Sequence, residues 1–273
     1  VFATLNLTTI HIYDGSFCDS LNIIEIADYL HQALPDTSVL LHEEFIQYGI
    51  INQHGDAPRG DIEALAREFA GIKVIDPRQR NRTTTPLQGE VGYEKRRILN
   101  TARQPAGILY DGERLLDIYN SVLPEDGRGS HTLHLVLTNQ LIGTWSRDDL
   151  RFHARASIYG IPSIISTTGL VEAPAKSRQY YLTQQLGVSP DMLEKHFQGQ
   201  FLVYDDPRLT GVIKGYCMQA LFYHLAGDPF CDDLNCRLYN AHWQHELIHA
   251  QLASPYEFCP RHLKVLENLR KEA

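Results

Sequence analysis

Apolar positions along the first third of the chain change period several times. Leu5-Asn6-Leu7-Thr8-Thr9-Ile10-His11-Ile12-Tyr13 alternates, the pattern of a strand with unlike faces, and Asp14-Gly15 closes it as a turn. From Leu21 to Leu34 the spacing lengthens. Ile24, Ala27, Leu30 and Leu34 recur at helical intervals, which predicts a helix that Pro35-Asp36 stops. Ser38-Val39-Leu40-Leu41 resumes as a strand, and Asp61 to Phe69 fits a further helix. A strand–helix–strand opening of this kind predicts an α/β sheet.

Between residues 76 and 104 this order is lost. Arg78, Arg80 and Arg82 alternate, so an extended backbone would put them on one side, and Lys95-Arg96-Arg97 follows. Contact with an anion or a protein partner accounts for such a run, and so does a solvated loop. Strand patterns return at His131 to Thr138, Phe152 to Tyr159 and Pro162 to Thr168, the last ending at Gly169. Helical spacing fits Ser177 to Leu186, Thr210 to Ala226, Trp243 to Leu252, and Pro260 to the end. With no internal repeat, low-complexity tract or linker, the expectation is one domain of α/β (α+β) class over residues 1–273. It would comprise a sheet-bearing part over 1–207 and a helical C-terminal lobe over 208–273.

Composition narrows the function classes. A chain of 273 residues can bury a substantial core, and 43% hydrophobic with 21% charged residues is ordinary for a globular protein. The net charge of -8 argues against a general nucleic-acid binder. No apolar run approaches the roughly 18 residues that span a bilayer, and Val1-Phe2-Ala3-Thr4-Leu5-Asn6 lacks the basic start of a signal peptide. Five cysteines, an odd number, at ligand-like spacing point to a reducing compartment, so a cytoplasmic location is expected.

The candidate chemistry lies near the C-terminus. Cys231-x4-Cys236 and Cys259-x2-His262 form two short-spaced pairs of the donors that zinc prefers in a tetrahedral shell. Pro260 sits just inside a helix start, where its missing N–H costs little. Four protein ligands leave no open position, so this Zn2+ would be structural. The alternative is three reduced, partly buried thiols beside a surface histidine.

Between the pairs, His245-Glu246-Leu247-Ile248-His249 fits the HExxH pattern, in which two histidines one turn apart bind zinc and the glutamate activates water. His242 lies one turn earlier. The longer form of the motif puts a third ligand at Pro255, which leaves Glu257 and Glu267 as substitutes. A polar helix face in a chain with 13 histidines accounts for the same residues. Cys217 and His224 could suggest a thiol nucleophile with a base, but seven helical residues separate them by about 10 Å, and Cys217 reads more simply as core.

The order of these features resembles the archaemetzincins, zinc metallopeptidases with the pattern HExxHxxGxxHC-x4-C-x-M, a spacer, then C-x2-C. Aligning Cys231-x4-Cys236 with its second part puts His224 on the second zinc histidine and Gly227 on the turn glycine. Ala220, Leu221 and Phe230 fall on the first histidine, the glutamate and the third histidine. Leu238 stands at the methionine, and His262 replaces the last cysteine. Thr138-Asn139-Gln140-Leu141 and Ile165-Ser166-Thr167-Thr168-Gly169-Leu170 are similar to further elements of that family. The chain also resembles an uncharacterised archaeal group that carries a metallopeptidase label.

The resemblance implies a metzincin-like mixed twisted sheet with a zinc-tied C-terminal subdomain. It also implies a structural Cys3His zinc beside a degenerate peptidase centre with His224 as its remnant. Such a protein would bind a protein or peptide partner. The alternative is an active peptidase using His245, His249 and Glu246.

Overall fold

Strand β1 (Thr9–Gly15) alternates, and its alternation divides the interior in two. Ile10 and Ile12 enter one hydrophobic cluster, and Tyr13 enters another. The computed structural model describes residues 7–54, 59–82, 84–100, 107–123 and 125–272. Leu5 and Asn6 of the expected first strand, and residues 83 and 101–104 of the arginine-bearing stretch, lie outside them.

In chain order β1 is followed by α1 (Ile23–Ala33), β2 (Ser38–His42), α2 (Phe45–His54), α3 (Arg59–Gly71), α4 (Gln88–Leu99), β3 (Leu109–Asp111) and α5 (Gly112–Val122). The strands β4 (Thr132–Thr138), β5 (Leu141–Ser146), β6 (Arg151–Arg155), β7 (Ser157–Ile158) and β8 (Ser163–Ser166) come next. The remainder is helical: α6 (Thr167–Glu172), α7 (Arg178–Gln185), α8 (Pro190–His196), α9 (Leu209–Ala226), α10 (Gln244–Ile248) and α11 (Pro260–Glu272). No described helix is long and apolar enough to cross a membrane.

The main sheet has the order β2-β1-β4-β8-β7, parallel except for β7, which runs antiparallel to β8. A second sheet of order β3-β5-β6 is also mixed. The class is therefore mixed α/β, as the patterning predicts. Register pairs Ile10 with Leu133 and Ile12 with Leu135, so these side chains share a face, and α1 and α9 cover it. Tyr13 pairs with Val136 on the other face, beneath Phe45 of α2 and Leu115 of α5. Covering both faces is what a parallel sheet requires. Cys236, Phe258, Cys259 and Leu266 join the same cluster as Ile10 and Leu135, so the C-terminal segment packs on the sheet's own core.

Two expectations need correction. Phe152 to Tyr159 is not one strand: β6 pairs with β5 in the second sheet, and β7 pairs with β8 in the first. The break coincides with a close approach at Gly169, where a Cβ would stand 2.1 Å from Arg155 O and 3.0 Å from Ala156 Cα. The arginine-bearing stretch is not all loop, because α4 starts at Gln88. Arg82 is engaged within the fold: its guanidinium donates to Glu90 at 2.6 and 3.0 Å and to Ala70 O at 2.9 Å.

Candidate metal centre

Helix α9 ends at Ala226, and Gly227, at φ 70°, takes the left-handed cap position that favours glycine. The chain then reaches Cys231, whose N–H donates to Leu238 O at 2.9 Å. Cys236 N–H donates to Asp233 O at 2.9 Å and closes a tight turn between the two thiols. Cys259 precedes α11, and His262 lies in that helix's first turn, its ring edge-on to Phe222 of α9 with centroids 5.1 Å apart.

Fold and sequence spacing together bring all four donors into one place. The ligand atoms of Cys231, Cys236, Cys259 and His262 lie within 4.8 Å of one another. Cys231 Sγ is 3.8 Å from Cys259 Sγ, and His262 Nδ1 is 3.7 Å from Cys236 Sγ and 3.1 Å from Cys259 Sγ. Zinc–sulfur bonds of about 2.3 Å and zinc–nitrogen bonds of about 2.0 Å give tetrahedral edges of roughly 3.5–3.8 Å. The donor set therefore fits a zinc ion.

Backbone N–H groups of Asp233 and Cys259 point at Cys231 Sγ and Cys236 Sγ, at 3.4 and 3.5 Å, the kind of support that orients metal-bound thiolates. Burial pushes the Cys236 thiol up to about 12 and raises that of Cys231. Burial also lowers the His262 imidazole. Thiolates so enclosed need a cation, and a bound metal supplies it. Four protein donors close the shell, so the chemistry available is cross-linking of the 231–236 turn to α11 rather than activation of water.

The HExxH residues are elsewhere. Helix α10 runs only from Gln244 to Ile248, and the chain then widens into a π-helical turn, His249–Ala253. The Glu246 carboxylate accepts from His242 N–H at 2.9 Å and Trp243 N–H at 3.1 Å, capping its own helix. His249 Nε2 lies 2.7 Å from Asn235 Oδ1, and His245 is exposed. Among the described residues, the Cys3His group is the one place where three or more candidate ligand atoms converge. Glu257 is engaged by Arg237 and Tyr29, and Glu267 is exposed.

His224 Nε2 is 2.8 Å from Ser130 O, while Ala220 and Leu221 are fully buried in the main core. Phe230 packs near Tyr159, with ring centroids 6.0 Å apart. Burial pushes the Cys217 thiol up to about 12 inside the same core. Sequence reasoning missed Asn235, which joins the thiol-bearing turn to His249. The signal was a run of turn-forming residues, Asp232-Asp233-Leu234-Asn235, between the two cysteines.

A family model described as a probable metallopeptidase family (DUF6775) matches residues 6–269. No curated protein matches the chain. Among solved structures the chain is similar to a zinc-dependent peptidase from Methanocorpusculum labreanum (strain Z) at 15% identity. That likeness covers 94% of this chain and 99% of the other, with a TM-score of 0.41.

Proposed function

The chain belongs to this probable metallopeptidase family, and from that premise we propose an archaemetzincin-like zinc protein whose ion is structural and whose peptidase centre is degenerate. It binds a protein or peptide partner without cutting it. The observation that carries this reading is the contrast between two sites. Four donors converge at Cys231, Cys236, Cys259 and His262, whereas His224 has Ala220 and Leu221, both apolar and buried, where a ligand and a base would stand. A lone imidazole does not hold a catalytic zinc, and without a carboxylate the water has no base. A reducing, cytoplasmic setting follows from the same reading, because the zinc ligands act as thiolates.

A second reading, an active peptidase at His245, Glu246 and His249, is favoured by one observation: both histidines line a single cavity of about 220 Å³. Against it, the Glu246 carboxylate is occupied in capping its helix.

Zinc per chain, measured by elemental analysis, separates the two. The first reading expects about one zinc in wild type and in the His245→Ala, His249→Ala double variant, with no peptide hydrolysis in either. About two in wild type, falling to one in the variant together with a lost hydrolytic activity, establishes the second. Hydrolysis by the pure protein that disappears in His224→Ala sinks the first.

A further inference from the structure

An open pocket lies beside α10, where two hydrophobic clusters stand apart. Phe197 and Phe201 belong to a small cluster built around α8, and Leu247 belongs to the main one. Gln244, almost fully buried, ties the start of α10 to residues of the main cluster. Its Nε2 donates to Leu170 O at 2.8 Å and Val171 O at 3.2 Å, and its Oε1 accepts from Leu202 N–H at 3.0 Å. Every polar end of this side chain is thereby used, and the space next to it stays open. The cavity measures about 220 Å³, with Phe197, Phe201, Ile248 and Ala253 as its apolar wall and His245 and His249 among its polar groups.

The polar side of this wall is held in place. His249 Nε2 is 2.7 Å from Asn235 Oδ1, and Asn235 lies in the turn between Cys231 and Cys236. Asn235 N–H in turn donates to Asp233 Oδ1 at 3.0 Å, and Asp233 N–H points at Cys231 Sγ. The imidazole is therefore tied to the metal-binding turn. In the neutral tautomer that donates to Asn235, Nδ1 is left as an acceptor. The π-helical turn His249–Ala253 forms this edge, a local widening that recurs at functional sites.

Size and lining select the occupant. An enclosed apolar cavity of about 150 Å³ accepts benzene; this pocket of about 220 Å³, open to solvent on one side, has room for a ring with a substituent. We propose that it binds one aromatic ring carrying a hydroxyl or N–H on its edge, of the phenol or indole class found in tyrosine and tryptophan side chains. The ring packs against Phe197, Phe201 and Ile248, and its polar edge donates to His249 Nδ1. For the ring's carrier, a peptide, the proposal rests on the partner-binding reading. The site itself rests on its lining.

The test titrates the zinc-loaded protein with p-cresol, with toluene and with a blocked Ala-Tyr-Ala tripeptide, following amide chemical shifts. Saturable p-cresol binding is expected, with shifts at residues 197–201 and 245–253, tighter than toluene. Ala253→Leu, which fills the cavity from an exposed position, should weaken it at least tenfold. His249→Phe should erase the preference over toluene. Should His249→Phe fail to fold, Ala253→Leu decides the matter alone. Absent p-cresol binding, or binding unchanged in Ala253→Leu, overturns the site and leaves the partner-binding reading to its own zinc and hydrolysis test. Tripeptide binding at least as tight as p-cresol supports a peptide carrier. If p-cresol binds and the tripeptide does not, the peptide is overturned as carrier and a free aromatic molecule is the ligand.

Discussion

Three imidazoles stack on one face of the main sheet. His11 Nδ1 lies 2.7 Å from His42 Nε2, and the His11 and His134 rings are 4.8 Å apart at 18°. Burial, helped by the neighbouring His134 and His42, lowers His11 from 6.5 to about 4. The folded state thus favours the neutral ring. Its contribution to stability is complete above the unfolded value of 6.5 and is lost as pH falls through about 4. Thermal melts at pH 7.5 and pH 5 should show a smaller acid-induced drop in Tm for His11→Leu than for wild type. Equal drops would mean that other groups titrate. At the metal centre, Cys236→Ala leaves three donors, and bound zinc is expected to fall below about 0.1 per chain after dialysis, by elemental analysis. Both ligand pairs, Cys231 with Cys236 and Cys259 with His262, were legible in the sequence, since ligand spacing is local. The histidine stack was not, because it joins three strands that only sheet register aligns.

Elements whose buried face is apolar could be read from the chain, as with α1 and β1. Those that bury charge could not. Helix α4 turns Glu94 inward, where it meets Lys73 at 2.6 Å, Arg97 at 2.7 Å and the Tyr110 hydroxyl at 2.9 Å. With a carboxylate on its inner face, its pattern reads as polar and non-periodic. Removing that carboxylate strands two buried cations, so Glu94→Leu should cost about 3–5 kcal/mol in urea unfolding. A loss under about 1 kcal/mol would place the pair among ordinary surface contacts. The strand break at Ala156 was equally hidden, because Gly169 meets Arg155 O only after α6 has docked. Gly169→Ala should lower stability by about 1–3 kcal/mol through overpacking, checked by the same unfolding curves.

Across the whole molecule, the candidate metal centre lies where α11 meets the core. Cys259 and His262 hold the start of α11, while Arg270 near its end donates to Ala33 O at 2.8 Å, reaching α1. Leu266 packs between these points in the main cluster. Chelation by phenanthroline should therefore lower Tm, and hydrogen exchange should show residues 228–262 losing protection before β1 and β4. Simultaneous loss in both regions would show that the site supports the entire core rather than its C-terminal flank.

Local chemistry determined much of this protein from the sequence alone. Apolar period set the strand and helix types that build an α/β class, and the Cys231, Cys236, Cys259 and His262 spacing marked a candidate metal shell. These signals survive in one dimension because periodicity and short-range ligand pairs depend on neighbours a few residues apart. Only the tertiary structure decided that His249 leans on Asn235 and that Gln244 bonds Leu170, Val171 and Leu202 beside an open pocket. Each of those roles depends on a partner contributed by packing or by the local turn of the chain, and residue type by itself does not specify which partner a polar side chain will find.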